Sequence, residues 1–372
     1  MAATVSDFIT ILNRLAPPRL AEAWDNVGLQ VGHREWPVKT VWVALDPLPE
    51  VVAKACKSDV DLLITHHPLF FKPIKQIDCA SPVGGVVAMA AAHQMAIFTA
   101  HTNLDSVAGG VNDVLAARMG LNHIRTLTDR TDARVCKLVV FAPPAHVQPI
   151  LDAMFSAGAG RIGNYTHCSF RSEGTGTFFG GNNTSPAAGS RGVLNAIGEH
   201  RVEVLVPRDG VDAIVSAAKQ VHPYETMAYD VYPLVANDHR SGLGRIGQLP
   251  APLALADFVA QLKTNLQLST VKIVGSAKKR VKKVAVCSGS GSSLLADAIA
   301  AGAEVYVSGD ISYHTARDAQ QAGIGVIDVG HFHSEQPVVD VLAASLRDVL
   351  KVEDIPVVVA AVDTERDPFD YF

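Results

Sequence analysis

Segments of strand length and segments of helix length alternate in this sequence, and the same alternation occurs twice. Near the N-terminus the order is strand, helix, strand, helix, strand, in VWVALD, LPEVVAKACKSD, DLLITHH, VGGVVAMAAAHQM and AIFTAH. Toward the C-terminus that order returns in KKVAVCSG, SSLLADAIAAG, EVYVSGD, HTARDAQQAG and IGVIDVGH. Such alternation is typical of a mainly parallel sheet covered by helices, so we predict an α/β fold.

The two alternating stretches also share a pattern of polar residues. In each, the third strand leads into a histidine that is followed four positions later by a carboxylate: His101 and Asp105 in HTNLD, His331 and Glu335 in HFHSE. We interpret this as a weak internal repeat of two related α/β units. The alternative is two ordinary βαβ units that are alike by chance. In open α/β sheets, binding sites lie at the carboxyl ends of the strands, where these residues are found.

The segment between the two stretches has a different character. From about Asp132 to Leu234 its order is β-α-β-β-α-β, which is the order of the ferredoxin-like unit. We therefore predict one discontinuous α/β domain, residues 1–131 and 236–372, with residues 132–235 inserted as an α+β domain. Within the insert, GGNNTSPAAGSRG is predicted to be a surface loop and HPYET, His222 to Thr226, a turn.

Composition excludes several classes of protein. A chain of 372 residues exceeds the size at which one core stops growing, and 48% hydrophobic with 19% charged residues fits neither disorder nor a coiled coil. The net charge of −5 gives no strong signal for nucleic acid or an anionic membrane. No apolar run reaches the length of about 18 residues that a spanning helix requires. We expect no membrane partner.

Cysteine usage and the N-terminal segment favour a reducing compartment. The five cysteines show no CxxC pair and no regular spacing, which argues against a disulfide framework or a cysteine-ligated zinc. The first residues lack a basic segment followed by an apolar one, so we expect a cytoplasmic protein. Ser6 is predicted to cap a first helix that buries Phe8, Ile9, Leu12 and Leu15.

Two adjacent histidines, His66 and His67, end the apolar strand LLIT. Neighbouring side chains in a strand point to opposite faces, so this pair suits two ions better than one. Pro68 ends the strand at once and places both rings at the edge of the sheet. Each ring taken alone could instead be a core residue. Imidazole together with carboxylate suits zinc, iron, manganese or nickel.

The other histidine-carboxylate pairs would complete such a site. In GHFHSEQP, Pro337 predicts that Ser334 caps a helix opened by Glu335, with His331 in the preceding loop. Folding of that loop over the strand end would still bring His331 to Glu335. His333 could be a ligand or a proton shuttle, and the alternative is an exposed side chain.

Two further motifs are candidates. CSGSGSS follows a strand and precedes a helix, so Ser288, Ser290 and Ser292 could bind a phosphate, although a plain tight turn explains the motif equally well. SGDISYH places Asp310 and His314 at another strand end, where either could act as a general acid or base. Spacing does not assign roles to Asp25 and Asp46.

Taken together, WDNVGLQVG, ITHHPLFF, HTNLDSVAGGVND, CSGSG, SGDISYH and GHFHSEQP closely resemble the motifs of the GTP cyclohydrolase I type 2 homologues. These proteins are also known as dinuclear-metal-centre hexameric toroid proteins. RIGNYTHCSF, GTGTFF and HPYETMAYDVYPL are similar to the insert of the longer members, which resembles the PII and CutA domains. The resemblance spans nearly the whole chain.

The resemblance implies a ligand set and an assembly. It places two metal ions on His66, His67, Asp105, His331 and Glu335, and puts His101 behind them as a supporting residue. It also implies a homohexamer made of two stacked trimers whose metal sites face an internal cavity.

Three functions are compatible with these residues. The first is a metal-dependent hydrolase acting on GTP, another nucleotide or a related heterocycle, with protons moved by Asp310, His314 or His333. The second is a metal-dependent regulatory or scaffold protein that binds a small ligand or a protein partner without turnover. The third is metal storage or delivery.

Overall fold

The computed structural model describes residues 3–128, 135–163, 165–234 and 241–370. The chain divides into two compact units: Met1–Arg130 together with His239–Phe372, and Thr131–Asp238. The first unit is therefore built from both ends of the chain. The predicted domain boundaries, between residues 131 and 132 and between residues 235 and 236, lie outside the described residues.

The N-terminal part of the first unit alternates helices and strands. In order they are α1 (Val5–Leu15), β1 (Gly28–Val31), β2 (Thr40–Ala44), α2 (Pro49–Lys57), β3 (Leu62–Thr65), α3 (Pro82–Ala92), β4 (Ala96–Thr99), α4 (Thr102–Ser106), α5 (Val111–Arg118) and β5 (Asn122–Thr126). The described strands β3 and β4 are fully buried along their length. Burial on both faces is what a parallel sheet covered by helices requires.

The second unit has the predicted order β-α-β-β-α-β. Its elements are β6 (Val135–Ala142), α6 (Val147–Ser156), β7 (Ser169–Phe179), β8 (Leu194–Pro207), α7 (Val211–Val221) and β9 (Tyr229–Pro233). They form an antiparallel sheet in the order β7-β8-β6-β9, with a core of its own. This is a ferredoxin-like arrangement. Its likeness to PII and CutA domains stays a prediction.

The C-terminal part of the first unit repeats the alternation. Its elements are β10 (Arg245–Ala254), α8 (Leu255–Asn265), β11 (Lys272–Val274), β12 (Arg280–Ser290), α9 (Leu295–Ala300), β13 (Val305–Gly309), α10 (Tyr313–Ala322), β14 (Gly325–Asp328), α11 (His331–Glu335), α12 (Pro337–Val352) and β15 (Val358–Ala361). The α/β fold class predicted from the alternation is confirmed.

The two sheets of the first unit share one arrangement. One has the order β1-β4-β3-β2-β15 and the other the order β11-β14-β13-β12-β10-β5. In each sheet, three strands that follow one another in the chain are parallel, β2-β3-β4 in one and β12-β13-β14 in the other. The last of the three pairs with an antiparallel edge strand, β1 or β11. This matching topology agrees with the predicted internal repeat.

The two halves of the first unit exchange elements. Strand β15, from the C-terminal end, pairs with β2, and helix α12 packs its apolar face into the core of the first sheet. In return β5 pairs with β10, and α5 contributes Leu115 and Ala116 to the core of the second sheet. Each sheet therefore needs elements from the other half of the chain. This exchange keeps the carboxyl ends of the strands of both sheets within one compact unit.

The start of α1 differs from the prediction. Thr4, not Ser6, is the N-cap: its side chain accepts a hydrogen bond from the Asp7 N–H, and the Asp7 carboxylate accepts the Thr4 N–H in return. A reciprocal capping box of this kind satisfies two backbone donors, whereas a cap at Ser6 would satisfy one. The buried face includes the predicted Phe8, Ile9 and Leu12. Within the described ranges, no helix is both long enough and apolar enough to cross a membrane.

Candidate metal centre

Four histidines and two carboxylates converge where parallel strands of both sheets end. His66 and His67 follow β3 directly, and His101 follows β4. Asp105 lies on α4, while His331 and Glu335 begin and end α11, which follows β14. Three groups of these side chains bring their ligand atoms within 4.8 Å of one another: His66, His67 and His101; His67, His331 and Glu335; and His66, Asp105 and Glu335.

Helix α11 corrects the prediction for the HFHSE motif. The residues from His331 to Glu335 are themselves helical, and Pro337 opens the next helix, α12. Because proline removes only its own N–H donor and disfavours a helical turn before it, it separates two helices without preventing the first. His331 and Glu335 are therefore helical neighbours at i and i+4. Ser334 caps no helix; its hydroxyl donates to His331 O and accepts the Gly289 N–H.

Glu335 directs its two carboxylate oxygens to different partners. Oε2 lies 3.0 Å from His67 Nε2 and 3.1 Å from His331 Nε2, and these two nitrogens are 3.3 Å apart. Oε1 lies 3.6 Å from His66 Nε2, which is 3.8 Å from Asp105 Oδ1. Ligand atoms bound to one first-row ion at about 2.0–2.2 Å are separated by similar distances. The Glu335 carboxylate therefore stands between two candidate cation positions.

Hydrogen bonds at Nδ1 orient all four imidazole rings. The acceptors are oxygens of four different residues: Ala100 O at 3.0 Å for His66, Asp46 Oδ1 at 2.8 Å for His67, Asp25 Oδ1 at 2.8 Å for His101 and Asp310 Oδ2 at 2.7 Å for His331. Carbonyl and carboxylate oxygens accept, so Nδ1 carries a proton in each ring. The Nε2 lone pair of each neutral ring is left for a cation, which is the usual arrangement around metal-bound histidine.

Two buried polar atoms of the cluster have no hydrogen-bond partner in the described part of the chain. Among the described residues, His66 Nε2 and Glu335 Oε2 are both buried and make no hydrogen bond of normal geometry. Leaving a buried carboxylate or imidazole unpaired carries a large desolvation cost. A bound cation would satisfy both atoms at once. The buried histidine and carboxylate groups could therefore hold a metal ion.

The electrostatics of the cluster also favour positive charge. Burial alone would lower the pKa of His67, but the neighbouring carboxylates of Asp46 and Glu335 outweigh it and raise the pKa to about 10. The Glu335 carboxylate beside its Nε2 raises the pKa of His331 to about 9 despite burial. Without metal, protons would thus occupy the positions that a metal ion would take.

Metal uptake should therefore be strongly pH-dependent. Both His67 and His331 would be protonated near neutral pH, and each must lose a proton to bind a metal ion. We expect apparent metal affinity to rise by about 100-fold per pH unit up to about pH 9, and to level off above about pH 10. Competition with a chelator of known affinity at several pH values measures this. An affinity that is flat between about pH 6 and pH 8 would contradict it.

Asp46 is held in place to orient His67. The Glu365 carboxylate, from the segment after β15, accepts the N–H groups of Leu45 and Asp46 at 2.8 Å each. Asp46 in turn binds His67 Nδ1. We expect Asp46→Asn to lower metal affinity by about 10- to 100-fold, because the neutral amide can present its N–H to the ring and support the wrong tautomer. Isothermal titration with zinc measures the loss; an exposed-site control, Asp348→Asn, should show none.

The CSGSG loop supports Asp105. Ser288 donates its N–H to Asn112 Oδ1 and its hydroxyl to Asp105 Oδ1. Gly289 and Gly291 donate their N–H groups to serine hydroxyls. These three positions therefore have no donor left for the predicted phosphate. Ser290 is exposed, and the Ser292 hydroxyl donates to Asp310 O at 3.3 Å.

The three predicted acid-base residues are in different places. Asp310, just after β13, binds His331 Nδ1 and so positions a candidate ligand. His333 lies 3.5 Å from Asp367. His314 is exposed in the first turn of α10, where its ring contacts Tyr313, and it does not join the cluster.

A cavity of about 560 Å³ opens beside His331. His331, His333 and Asp310 line it together with residues from three other segments, Leu268–Lys272, Asp328–Gly330 and Asp367–Asp370. Four of the lining residues are aspartates and one, Lys272, is a lysine. The cluster thus adjoins a cavity that is large enough for a small molecule and predominantly acidic.

Spacing alone did not assign several residues of the site. The resemblance implies a supporting role for His101, which stays a prediction; its ring centroid lies 5.2 Å from that of His66 and 5.6 Å from that of His67. Asp25 accepts the His101 Nδ1–H and the Thr102 N–H. Burial would raise the pKa of Asp25, but hydrogen bonds from His101 and Thr102 lower it to about 2. The feature of the sequence that could have pointed to these residues is their position just after a strand or in a loop beside one.

Comparison with known proteins identifies the family. A family model described as Duf34/NIF3 (NGG1p interacting factor 3) matches residues 3–368. The chain belongs to the Duf34/NIF3 family. The predicted resemblance is confirmed by relatives in this family named GTP cyclohydrolase 1 type 2 homolog. One from Halalkalibacterium halodurans is 37% identical over 363 residues, 98% of this chain and 97% of that protein. One from Mycobacterium tuberculosis is 39% identical over 341 residues, 91% and 89% of the two chains.

Two solved structures share the fold of this chain. The Bacillus cereus protein related to NIF3 matches with a TM-score of 0.76 and 35% identity, covering 100% of both chains. Staphylococcus aureus protein SA1388 matches with a TM-score of 0.85 and 30% identity, covering 100% of this chain and 99% of that one. Each of the two matches therefore extends over both the α/β unit and the insert.

Proposed function

We propose that the cluster binds two divalent metal ions. His67, His331 and Glu335 would hold one, and His66, His101 and Asp105, with the other oxygen of Glu335, would hold the second. The donors are imidazole and carboxylate without thiolate, which suits zinc, iron, manganese or nickel. A structural zinc site usually has four protein ligands, whereas a catalytic one keeps a position open.

We further propose that the protein is a metal-dependent hydrolase. When bound, two such ions would lower the pKa of water toward about 7 and polarise the bond under attack. The observation that carries the proposal is the cavity of about 560 Å³, because it adjoins the candidate ligand His331. A site that served only structure would not need an adjoining cavity of this size.

The charge of the residues that line the cavity limits which substrates it can bind. Four aspartates line it against one lysine, and Asp328 already binds that lysine. Away from the metal ions, whose positive charge would attract phosphate, these carboxylates would repel a triphosphate chain. We therefore propose that the cavity receives the heterocycle of a nucleotide or a related compound and leaves phosphates outside. The relatives' name refers to GTP, which makes guanosine compounds the first to test.

A direct assay tests the hydrolase. Protein freed of metal and reloaded with zinc, iron, manganese or nickel is incubated with GTP, guanosine and a panel of nucleotides, and products are followed by chromatography. Turnover should require metal and should be abolished by His67→Ala and Glu335→Ala but retained by Asp348→Asn. Guanosine should be a substrate at least as good as GTP. Turnover that survives both ligand substitutions would overturn the proposal.

A second candidate is a metal-dependent regulatory or scaffold protein. The contacts of the predicted acid-base residues favour it, since Asp310 already binds His331 and His333 already lies near Asp367. Neither side chain is free to move a proton without breaking an existing contact. Metal-dependent ligand binding without product formation in the same assay would favour this candidate over the hydrolase.

We also propose that the chain forms a homohexamer of two stacked trimers, as the resemblance implies. Exposed apolar side chains support self-association: Phe71, Ile74, Ile77 and Val83 are 39–54% exposed and line one cavity of about 370 Å³. Clusters of this kind commonly mark protein interfaces. The partner would be a second copy of the chain.

Substitution in this apolar cluster tests the assembly. We expect Ile77→Glu to lower the molecular mass measured by sedimentation equilibrium from that of six chains to that of three or fewer, because a buried charge opposes association. Val352→Glu, at an exposed apolar residue on α12, is the control and should leave the mass unchanged. A wild-type protein that sediments as a single chain would refute the hexamer.

A further inference from the structure

The second unit contains a cavity of about 340 Å³ that is separate from the metal cluster. Two sequence motifs predicted only as loop and turn meet to form it: the loop between β7 and β8, and HPYET after α7. Its lining residues come from the end of β7, from that loop, from β8 and from residues 224–228. Its size falls in the range of small-molecule sites.

The loop over this cavity is tethered at several points. The Ser185 N–H donates to both oxygens of Glu225, at 3.1 Å each. Asn195 accepts the Ser190 N–H and donates to Ser190 O, both at 2.8 Å, and the Thr184 hydroxyl binds Gly181 O. The tether through Glu225 joins the loop to HPYET, so the wall of the cavity is built by specific contacts.

One wall of the cavity carries a carboxylate without a cationic partner. The Glu199 carboxylate packs against Gly176, and its Oε2 would overlap a Cβ at residue 176. Within the described part of the chain, Glu199 forms no ion pair with a lysine, arginine or histidine. No lysine or arginine is among the residues that line the cavity. A negatively charged group is thus exposed to the cavity and left unneutralised.

An aromatic ring and a buried hydroxyl stand beside that carboxylate. The buried Tyr224 hydroxyl faces Glu199, and burial together with that carboxylate raises the pKa of Tyr224 to about 12. Its backbone N–H donates to His222 Nδ1, whose Nε2–H donates to Phe141 O at 2.9 Å. These two hydrogen bonds fix the backbone of Tyr224 at the wall of the cavity. Phe178, on the same face of β7 as Gly176, adds a further ring to the lining.

We propose that this cavity binds a small organic cation, an amine carried on an aromatic or apolar body. The Glu199 carboxylate would accept the ammonium protons, the Tyr224 oxygen would accept a further one, and the rings would pack against the body of the ligand. An anion of the same shape would be rejected, because Glu199 and Glu225 are the charged residues of the lining. This proposal does not depend on the metal cluster.

Fluorine NMR with the full-length protein tests the proposal. The probes are para-fluorophenethylamine and para-fluorophenylpropionate, which share a ring and differ in the sign of their charge. Wild-type protein should broaden the fluorine line of the amine and not that of the carboxylate. Glu199→Gln should weaken amine binding by about tenfold or more, because a charge-assisted hydrogen bond is lost.

Three further variants make the result specific. Glu173→Gln changes an exposed carboxylate on the same hairpin that does not line the cavity, and it should bind the amine like wild type. Glu335→Ala should also bind it normally, which excludes amine binding at the metal cluster. Phe178→Ala should weaken binding. Equal broadening of both probes, no broadening of either, or full binding by Glu199→Gln would each overturn the proposal.

Discussion

Glu335→Ala should leave the protein with neither of the two metal ions that we propose. One oxygen of this carboxylate faces His67 and His331, and the other faces His66, so its removal takes a ligand from both candidate positions. Its pKa is held well below the usual range, since three histidines outweigh the opposing effect of burial, and it therefore supplies full negative charge to the site. We expect metal content measured by mass spectrometry to fall from about two ions per chain to near zero.

The matched control removes a carboxylate of equal charge elsewhere. Asp348 is exposed on α12, the helix that follows Glu335, and Asp348→Asn should retain the full metal content. Circular dichroism should show that both variants are folded. Retention of one ion by Glu335→Ala would mean that the carboxylate does not bridge the two positions.

Gly289→Ala should lower metal affinity by about 100-fold or more, comparable to the loss of a ligand. Gly289 has a φ of 59°, in the left-handed region, and a Cβ there would overlap Glu335 Oε1 and lie 3.3 Å from His331 Nε2. The side chain that must move is the Glu335 carboxylate, which we propose as a ligand of both ions. The substitution thus disturbs the site while every ligand stays in the chain.

Gly323→Ala separates this steric effect from backbone strain. Gly323 ends α10 with a φ of 71°, and a Cβ there would meet no atom within 4 Å. Both variants should lose about 1 kcal/mol of unfolding free energy through left-handed strain. Only Gly289→Ala should also lose metal, as measured by zinc titration. Equal metal binding by the two alanine variants would show that Glu335 can be displaced without consequence.

Local patterns in the sequence were sufficient for the fold class and pointed to candidate ligands by position, while the family resemblance chose the predicted set among them. Burial on both faces makes β3 and β4 continuous apolar segments, and polar side chains directly after such strands mark the carboxyl edge of a sheet. His66, His67 and the His101–Asp105 pair could therefore be found by position. The HFHSE motif was found for the same reason, although its local structure was predicted wrongly.

The sequence by itself determined which side chains are available at the strand ends, because strand burial and helix periodicity are local properties of the chain. Only the tertiary structure decided which of them face one another. The exchange of α12, β15, α5 and β5 between the halves brings His331 within 3.3 Å of His67, across 264 positions of the chain. The same long-range packing turned Asp25, Asp46 and Asp310 toward imidazole nitrogens. Contacts between residues so far apart depend on how whole sheets pack, and no local pattern encodes that.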